Sequence, residues 1–270
     1  MDYQRYDIRI HVGWGCGEFA ITIVGAGLNP PLQQHKTMNK TLSNILSFLT
    51  TLLTPIVLVL FGIRILLTPI FPEIEYRMPG FPPDSYGFSQ EERLKWAKNA
   101  IEYLNNDAGP EFLGDLTFDD GSPLYKESEV SHMLDVKILI QIALKVWGAA
   151  FGILIALGAW AMLKNGKQAY FLGLKRGGWL TLILTGSLAL IASINFWAFF
   201  AQFHHVFFEG ESWIFLYSDT LIRLFPMRLW QDAFIMEAII VVGGGLALAF
   251  GLKPALLSPP ISKNKNGEEA

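Results

Sequence analysis

Two stretches of this chain hold imidazoles where imidazoles can do chemistry. In Glu129-Val130-Ser131-His132-Met133-Leu134-Asp135 a histidine has a carboxylate three residues to either side, and in Phe203-His204-His205-Val206-Phe207-Phe208 two histidines sit among aromatic rings. Residues three apart on a helix are neighbours, so Glu129 or Asp135 is near enough to orient a ring nitrogen of His132. Imidazole, with an ordinary pKa of about 6.5, is the side chain best matched to accept and return a proton near neutral pH. Two other readings stay open. Glu-x-x-His also puts two potential ligands on one helical face, so Glu129, His132 and His204 are a candidate metal set for a membrane hydrolase. Alternatively the histidines are interfacial residues of an aromatic belt, and the protein is a membrane-anchored binding module without enzymatic activity. There is no Gly-x-Ser-x-Gly elbow. The single cysteine, Cys16, can form neither an internal disulfide nor a cysteine-based metal site.

The elements that must position these residues are written in the hydropathy. Apolar residues make up 51% of the 270 and charged ones 17%, and the mean hydropathy is +0.34, which points to a membrane protein. A net charge of -3 with no dense basic block leaves no electrostatic footprint for nucleic acid. Set against the roughly 20 residues needed to cross a bilayer, the pattern predicts four spans. The expected division is a leader over 1–40, spans at 41–70, 136–163, 179–203 and 233–252, and a tail over 253–270. Between spans one and two lies a cap over 71–135, between two and three a loop over 164–178, and between three and four an interfacial loop over 204–232.

Lys164, Lys167, Lys175 and Arg176 flank spans two and three with no acid among them, Lys36 and Lys40 precede span one, and Lys253 follows span four. Basic flanks mark the cytoplasmic side, which places both termini there. Residues 71–135 carry 14 acids against five bases and are expected outside. The loop over 204–232, rich in Phe, Trp and Leu, is expected to lie along the membrane face. The leader contains nothing long enough to span, and Met38-Asn39-Lys40 opens onto span one as membrane proteins commonly begin. Met38 is therefore the expected biological start. The tail, with Pro259-Pro260 and a Lys/Asn/Glu ending, reads as solvated coil.

Within the cap, 79–87 is turn chemistry through Pro79, Gly80, Pro82, Pro83 and Gly87. Ser89 with Glu92 has capping-box spacing, and Leu94, Ala97, Ile101 and Leu104 continue a helical period, predicting a helix over about 90–105. Residues 112–123 suggest an extended excursion with a turn. From Ser128 a helical pattern runs into span two with no proline or glycine before Gly148, so His132 sits on a rigid extension outside the bilayer. Counting the rise from the short loop, His132 and His204 emerge within about 10 Å of equal height.

Four strings in order carry a resemblance. They are Gly80-Phe81-Pro82-Pro83-Asp84-Ser85-Tyr86-Gly87-Phe88, Glu92-Arg93-Leu94, His132-Met133-Leu134-Asp135-Val136-Lys137 and Phe203-His204-His205-Val206-Phe207-Phe208, with Trp213, Asp219 and Phe225-Pro226 downstream. Over roughly 40–255 the chain resembles the lipoprotein intramolecular transacylases (Lit), integral membrane enzymes. The resemblance implies transfer of the sn-2 acyl chain of a diacylglyceryl lipoprotein to the α-amino group of its own N-terminal cysteine, giving a lyso-form lipoprotein. It implies His132 and His204 as catalytic residues, with His205 the less secure neighbour. Substrate contacts are expected at Tyr86, Arg93, Lys137 and Trp213. Partners are a bacterial lipoprotein N-terminus and membrane lipid, and no cofactor or metal is expected. Arg64 and Glu237 lie at similar depth in spans one and four. They are expected to pair, unless Arg64 instead polarises the ester carbonyl. The expected fold is all-α, a four-helix transmembrane bundle with a small, mainly helical extracytoplasmic cap.

Overall fold

A computed structural model describes residues 10–15, 18–23 and 38–252. The chain divides into two units at residues 36 and 37. In the first, β1 (Ile10–Gly15) and β2 (Glu18–Ile23) form an antiparallel hairpin with Ile10 opposite Ile23. The sequence reading had placed no element there. Cys16, Lys36, Lys253 and the tail lie outside the described residues.

The second unit is helical. Four helices are long and apolar enough to cross a membrane: α1 (Lys40–Leu66), α5 (Glu127–Leu163), α6 (Lys167–Ile194) and α9 (Met227–Gly251). Between them stand α2 (Ile70–Glu75), α3 (Gln90–Asn105), α4 (Glu111–Gly114), α7 (Phe196–Phe207) and α8 (Thr220–Leu224). The predicted four-span, all-helical architecture is therefore what this unit adopts. Apolar side chains such as Phe48, Ile142, Ile183 and Ile239 remain exposed on its flanks, as expected where lipid replaces water.

Helix association in the bundle rests on small residues, because lipid removes the hydrophobic drive between helices and close backbone approach has to replace it. A Cβ added at Gly173 would lie 2.7 Å from the Ser47 carbonyl oxygen and from Thr50. One at Gly177 would lie 2.5 Å from Thr54, and one at Gly178 would lie 2.7 Å from the carbonyl oxygen of Gly245 on α9. These glycines correct a boundary. The stretch 164–178, expected to be a loop, is a turn at Lys164–Gly166 followed by the first three turns of α6. Its Gly173-x-x-x-Gly177 spacing is a packing motif that the nearby lysines obscured.

A second correction concerns span three. It is not one helix over 179–203 but α6 ending at Ile194 and α7 starting at Phe196. Asn195 takes an extended conformation, and its side chain accepts the Ala198 amide at 3.0 Å, capping α7.

The cap follows its local signals closely. Ser89 caps α3 through the expected reciprocal box, with its hydroxyl taking the Glu92 amide at 3.2 Å and its amide donating to Glu92 at 2.8 Å. The 112–123 excursion begins inside α4 and closes with a turn at Gly121 (φ 83°), where Phe118 donates to Ser122 at 2.8 Å and Thr117 bridges Pro123. The continuity of α5 holds for all 37 residues, about 55 Å at 1.5 Å per residue.

The 204–232 segment is anchored from within. Its α8 enters the cap's apolar core, where Leu221 and Leu224 join Phe88, Tyr103, Leu113, Leu124 and Met133, while Ile214, Leu216 and Tyr217 stay exposed. Three hydrogen bonds hold α8 there. Glu129 accepts the Leu221 amide at 2.7 Å, the Thr220 hydroxyl donates to the Leu124 carbonyl, and the Tyr76 hydroxyl donates to the Leu224 carbonyl at 2.6 Å.

Candidate active site

His132 lies on the second turn of α5 and His204 on the last turns of α7, each only 8% exposed. Their rings stack with centroids 6.4 Å apart and planes 25° from parallel. The break at Asn195 is what allows this, since it gives the segment carrying His204 a direction independent of α6. On α5 the anchor is Glu129, one turn before His132, whose two oxygens accept the Lys126 amide at 2.8 Å and the Leu221 amide at 2.7 Å. That carboxylate splices the start of α5 to α8, each oxygen accepting one amide.

Aromatic rings enclose the pair. Phe208 lies 4.9 Å from His132 and 5.6 Å from His204, Phe215 lies 5.4 Å from His132, and Phe200 lies 4.2 Å from His204. Trp213 lies tilted against His204 at 4.7 Å. His205 is exposed and meets the Trp213 ring edge-on at 5.5 Å.

The polar atoms of this box fall into two kinds. His204 Nδ1 is 2.8 Å from the Phe200 carbonyl oxygen, an acceptor only, so Nδ1 carries the hydrogen and Nε2 presents a lone pair. Burial holds the His204 pKa below the ordinary imidazole range, outweighing the opposite pull of the Phe200 carbonyl. His204 is neutral at physiological pH. His132 Nδ1 and Trp213 Nε1, in contrast, are buried and have no hydrogen-bond partner among the described residues. Buried polar groups are nearly always bonded, so these two are the positions from which a bound polar head group can be held.

The remaining expected site residues divide. Asp135 is exposed and, like Glu129, makes no hydrogen bond to His132, so neither carboxylate orients the ring. Arg64 and Glu237 do not pair. Arg64 donates to Asn105 at 3.2 Å, and Asn105 donates to the Leu67 carbonyl, joining the end of α1 to the end of α3. Glu237 instead fills the space left by Gly62, where an added Cβ would lie 2.3 Å from its carboxyl. Lys137 is buried, donates to Asn106 and Ala108, and lies 4.0 Å above the Tyr103 ring, so its bonds tie α5 to the chain that follows α3. Tyr86 is 52% exposed on the cap surface. Arg93 is buried between Tyr76 and Phe81.

Two features had no counterpart in the sequence reading. Arg223 forms a two-pronged ion pair with Asp84, Nε to Oδ1 at 3.2 Å and Nη2 to Oδ2 at 3.0 Å, over the Phe88 ring at 3.6 Å. Asp84 also accepts the amides of Tyr86 and Phe88. Phe215 joins the box although nothing distinguishes it in sequence from the other aromatics of its loop. Among the described residues, no three His, Cys, Asp or Glu side chains group so as to hold a metal ion.

Comparison with known proteins places this geometry. The family model described as lipoprotein intramolecular transacylase Lit matches residues 48–230, more than half of the chain. The chain belongs to the Lit family. It is accordingly a membrane acyltransferase of the lipoprotein intramolecular transacylase class. An uncharacterized protein of Aquifex aeolicus (strain VF5) is 29% identical over 219 residues, spanning 76% of this chain and 92% of that protein. Among solved structures, the membrane-integral Lit of Bacillus cereus has a TM-score of 0.64 at 18% identity, covering 81% of this chain and 97% of the other. A histidine-to-arginine variant of the Bacillus protein has a TM-score of 0.63 at 20% identity, covering 80% and 92%. These structures share the fold of this chain.

Proposed function

We propose that this Lit-family chain moves the sn-2 acyl chain of a diacylglyceryl lipoprotein to the α-amino group of its N-terminal cysteine, with His132 and His204 managing the protons. The observation that carries this reading is the stacked, buried imidazole pair contributed by two different helices. In the reaction the amine nitrogen forms a bond to the ester carbonyl carbon and the glyceryl oxygen leaves. The proton lost by nitrogen ends on that oxygen, giving an amide and a lyso-lipid hydroxyl. An α-amino group with a pKa of about 7.7–8.0 is largely protonated at neutral pH and must shed a proton to attack. That first proton goes to solvent; His204, with its Nε2 lone pair free, is suited to accept the second, which nitrogen loses as the amide forms, and return it to the leaving oxygen. His132 Nδ1 and Trp213 Nε1 are suited to hold the ester and its head group.

Amine and ester belong to one molecule, so the enzyme needs no nucleophile of its own. Holding the two groups in contact contributes several kcal/mol towards the barrier. The competing metal reading is less well supported, because among the described residues no three His, Cys, Asp or Glu side chains group so as to hold a metal ion. The site faces the extracytoplasmic side in this proposal. Lys40, Lys164 and Lys167 cluster at the opposite end, where Gly166 packs on Met38, and both termini are assigned to the cytoplasm. Incubating purified protein with a synthetic diacylated lipopeptide and following it by mass spectrometry tests the proposal. An acyl shift to the amine is the expected product. Free fatty acid, or an unchanged substrate, would refute it.

A further inference from the structure

A cavity of about 200 Å³ opens in the cap, bounded by Tyr76, Phe81, Pro82, Asp84, Gln90 and Arg93. It shares no lining residue with the histidine box. Its floor is a buried cation, since Arg93 is 5% exposed and its Nε has no hydrogen-bond partner. The guanidinium lies 4.9 Å from the Tyr76 ring centroid and 5.3 Å from that of Phe81, and Nη1 donates to the Pro82 carbonyl at 2.8 Å. Ring faces and one carbonyl solvate the charge but supply no counter-ion, and an uncompensated buried charge is costly. The nearby Asp84 acts on the Arg93 charge but is shared, since its oxygens also take both prongs of Arg223 and two amides, so one carboxylate serves two guanidiniums. With Arg93 and Arg223 positive and Asp84 negative, the lining and the ion pair behind it leave one positive charge over.

The surroundings indicate which anion completes it. The Tyr76 wall follows directly on α2, the short helix at the outer end of α1. On α2 and the turn after it, Ile70 (61%), Ile74 (48%) and Met78 (43%) are exposed four residues apart, while Phe71 and Tyr76 are buried. An apolar stripe at the outer end of a transmembrane span belongs in the lipid boundary, which sets the cavity beside it at head-group level. We propose that this cavity binds the phosphodiester of a membrane phospholipid, with Arg93 as its counter-ion. The site is separate from the acyl-transfer site and does not depend on the reading of the histidines. A guanidinium is well matched to phosphate oxygens, and 200 Å³, against about 30 Å³ per liquid water, accommodates a phosphodiester.

The test uses the full chain in detergent micelles, offered dioleoyl phosphatidylglycerol, dioleoylglycerol or inorganic phosphate, with bound species read by native mass spectrometry. Phosphatidylglycerol should be retained, dioleoylglycerol should not, and millimolar inorganic phosphate should not displace the phospholipid. Arg93→Gln should lower phospholipid retention about ten-fold, the size expected for a lost charge-assisted hydrogen bond. In case that variant does not fold, a phosphatidylglycerol photo-cross-linker carried on the head group is applied to the unmodified protein. Adducts are expected within residues 76–93. Equal retention of dioleoylglycerol, occupancy by inorganic phosphate alone, or adducts only outside 76–93 would each overturn the proposal.

Discussion

In the bundle, α6 meets α1 and α9 through Gly173, Gly177, Gly178 and Gly245, whereas the cap is built around Tyr103, Leu113, Leu124 and Leu224. Lipid is as apolar as leucine, so helices within it gain little from burying large side chains and rely on backbone proximity. Water surrounds the cap, so burial of large apolar groups drives its packing, and polar ties such as Glu129 to Leu221 set its register. The candidate active site lies where the two regimes meet. His132 sits on a helix that begins in the cap and ends in the bundle, and His204 on a segment that a single asparagine frees from α6.

Substitutions can break this contrast in order of effect. The largest expected loss is at the junction itself. His204→Gln and His132→Gln should each lower acyl transfer about 10²–10⁴-fold, measured as amide product by mass spectrometry, while thermal unfolding stays close to that of the unmodified protein. Retained turnover in either variant would remove that ring from the chemistry. The pH profile gives the sign. Because burial depresses the His204 pKa, the ring stays neutral to lower pH than a free imidazole, so its protonation should add a second loss of rate only below about 6.5, distinct from the fall at about 8 set by the substrate amine. An enzyme-borne acid limb above that value, seen once the amine's own ionisation is allowed for, would contradict the assignment of His204 as base.

Next comes the cap alone. Asp84→Asn leaves Arg223 buried beside a neutral partner and should cost about 3–5 kcal/mol, seen as early proteolysis in 71–135 with the spans still protected. In the bundle alone, Gly177→Val drives a side chain into Thr54 and should cost about 1–3 kcal/mol, lowering the thermal midpoint in detergent without early cleavage of the cap. If the two variants gave the same cleavage pattern, cap and bundle would be one cooperative unit and the contrast would fail. Smallest is Ser89→Ala, which removes one cap of α3 and should shift stability by about 1 kcal/mol in hydrogen exchange of that helix.

Much of this protein was legible without coordinates, wherever a property is local to a short stretch. Four spans follow from hydropathy, α3 from the Ser89–Glu92 box, and the unbroken α5 from the absence of proline and glycine before Gly148. The limits of local reading show at Lys167–Arg176. There the basic residues suggest a loop, whereas the chain is helical from Lys167 and packs through Gly173 and Gly177. Asn195 looked like a polar residue within a span and is instead the point at which the helix ends.

The chemical types needed for proton transfer, the membrane setting and the helical extension under His132 are properties of consecutive residues, and the sequence determined them. Tertiary structure decided which groups meet. It stacked His132 on His204, gave Glu129 to the Leu221 amide rather than to the imidazole, and sent Arg64 to Asn105 rather than to Glu237. It also joined Arg223 to Asp84 across 139 positions. Such partners are set by how α5, α7 and α8 pack, and that packing is fixed by many weak contacts summed over the whole fold, so no window of neighbouring residues contains it.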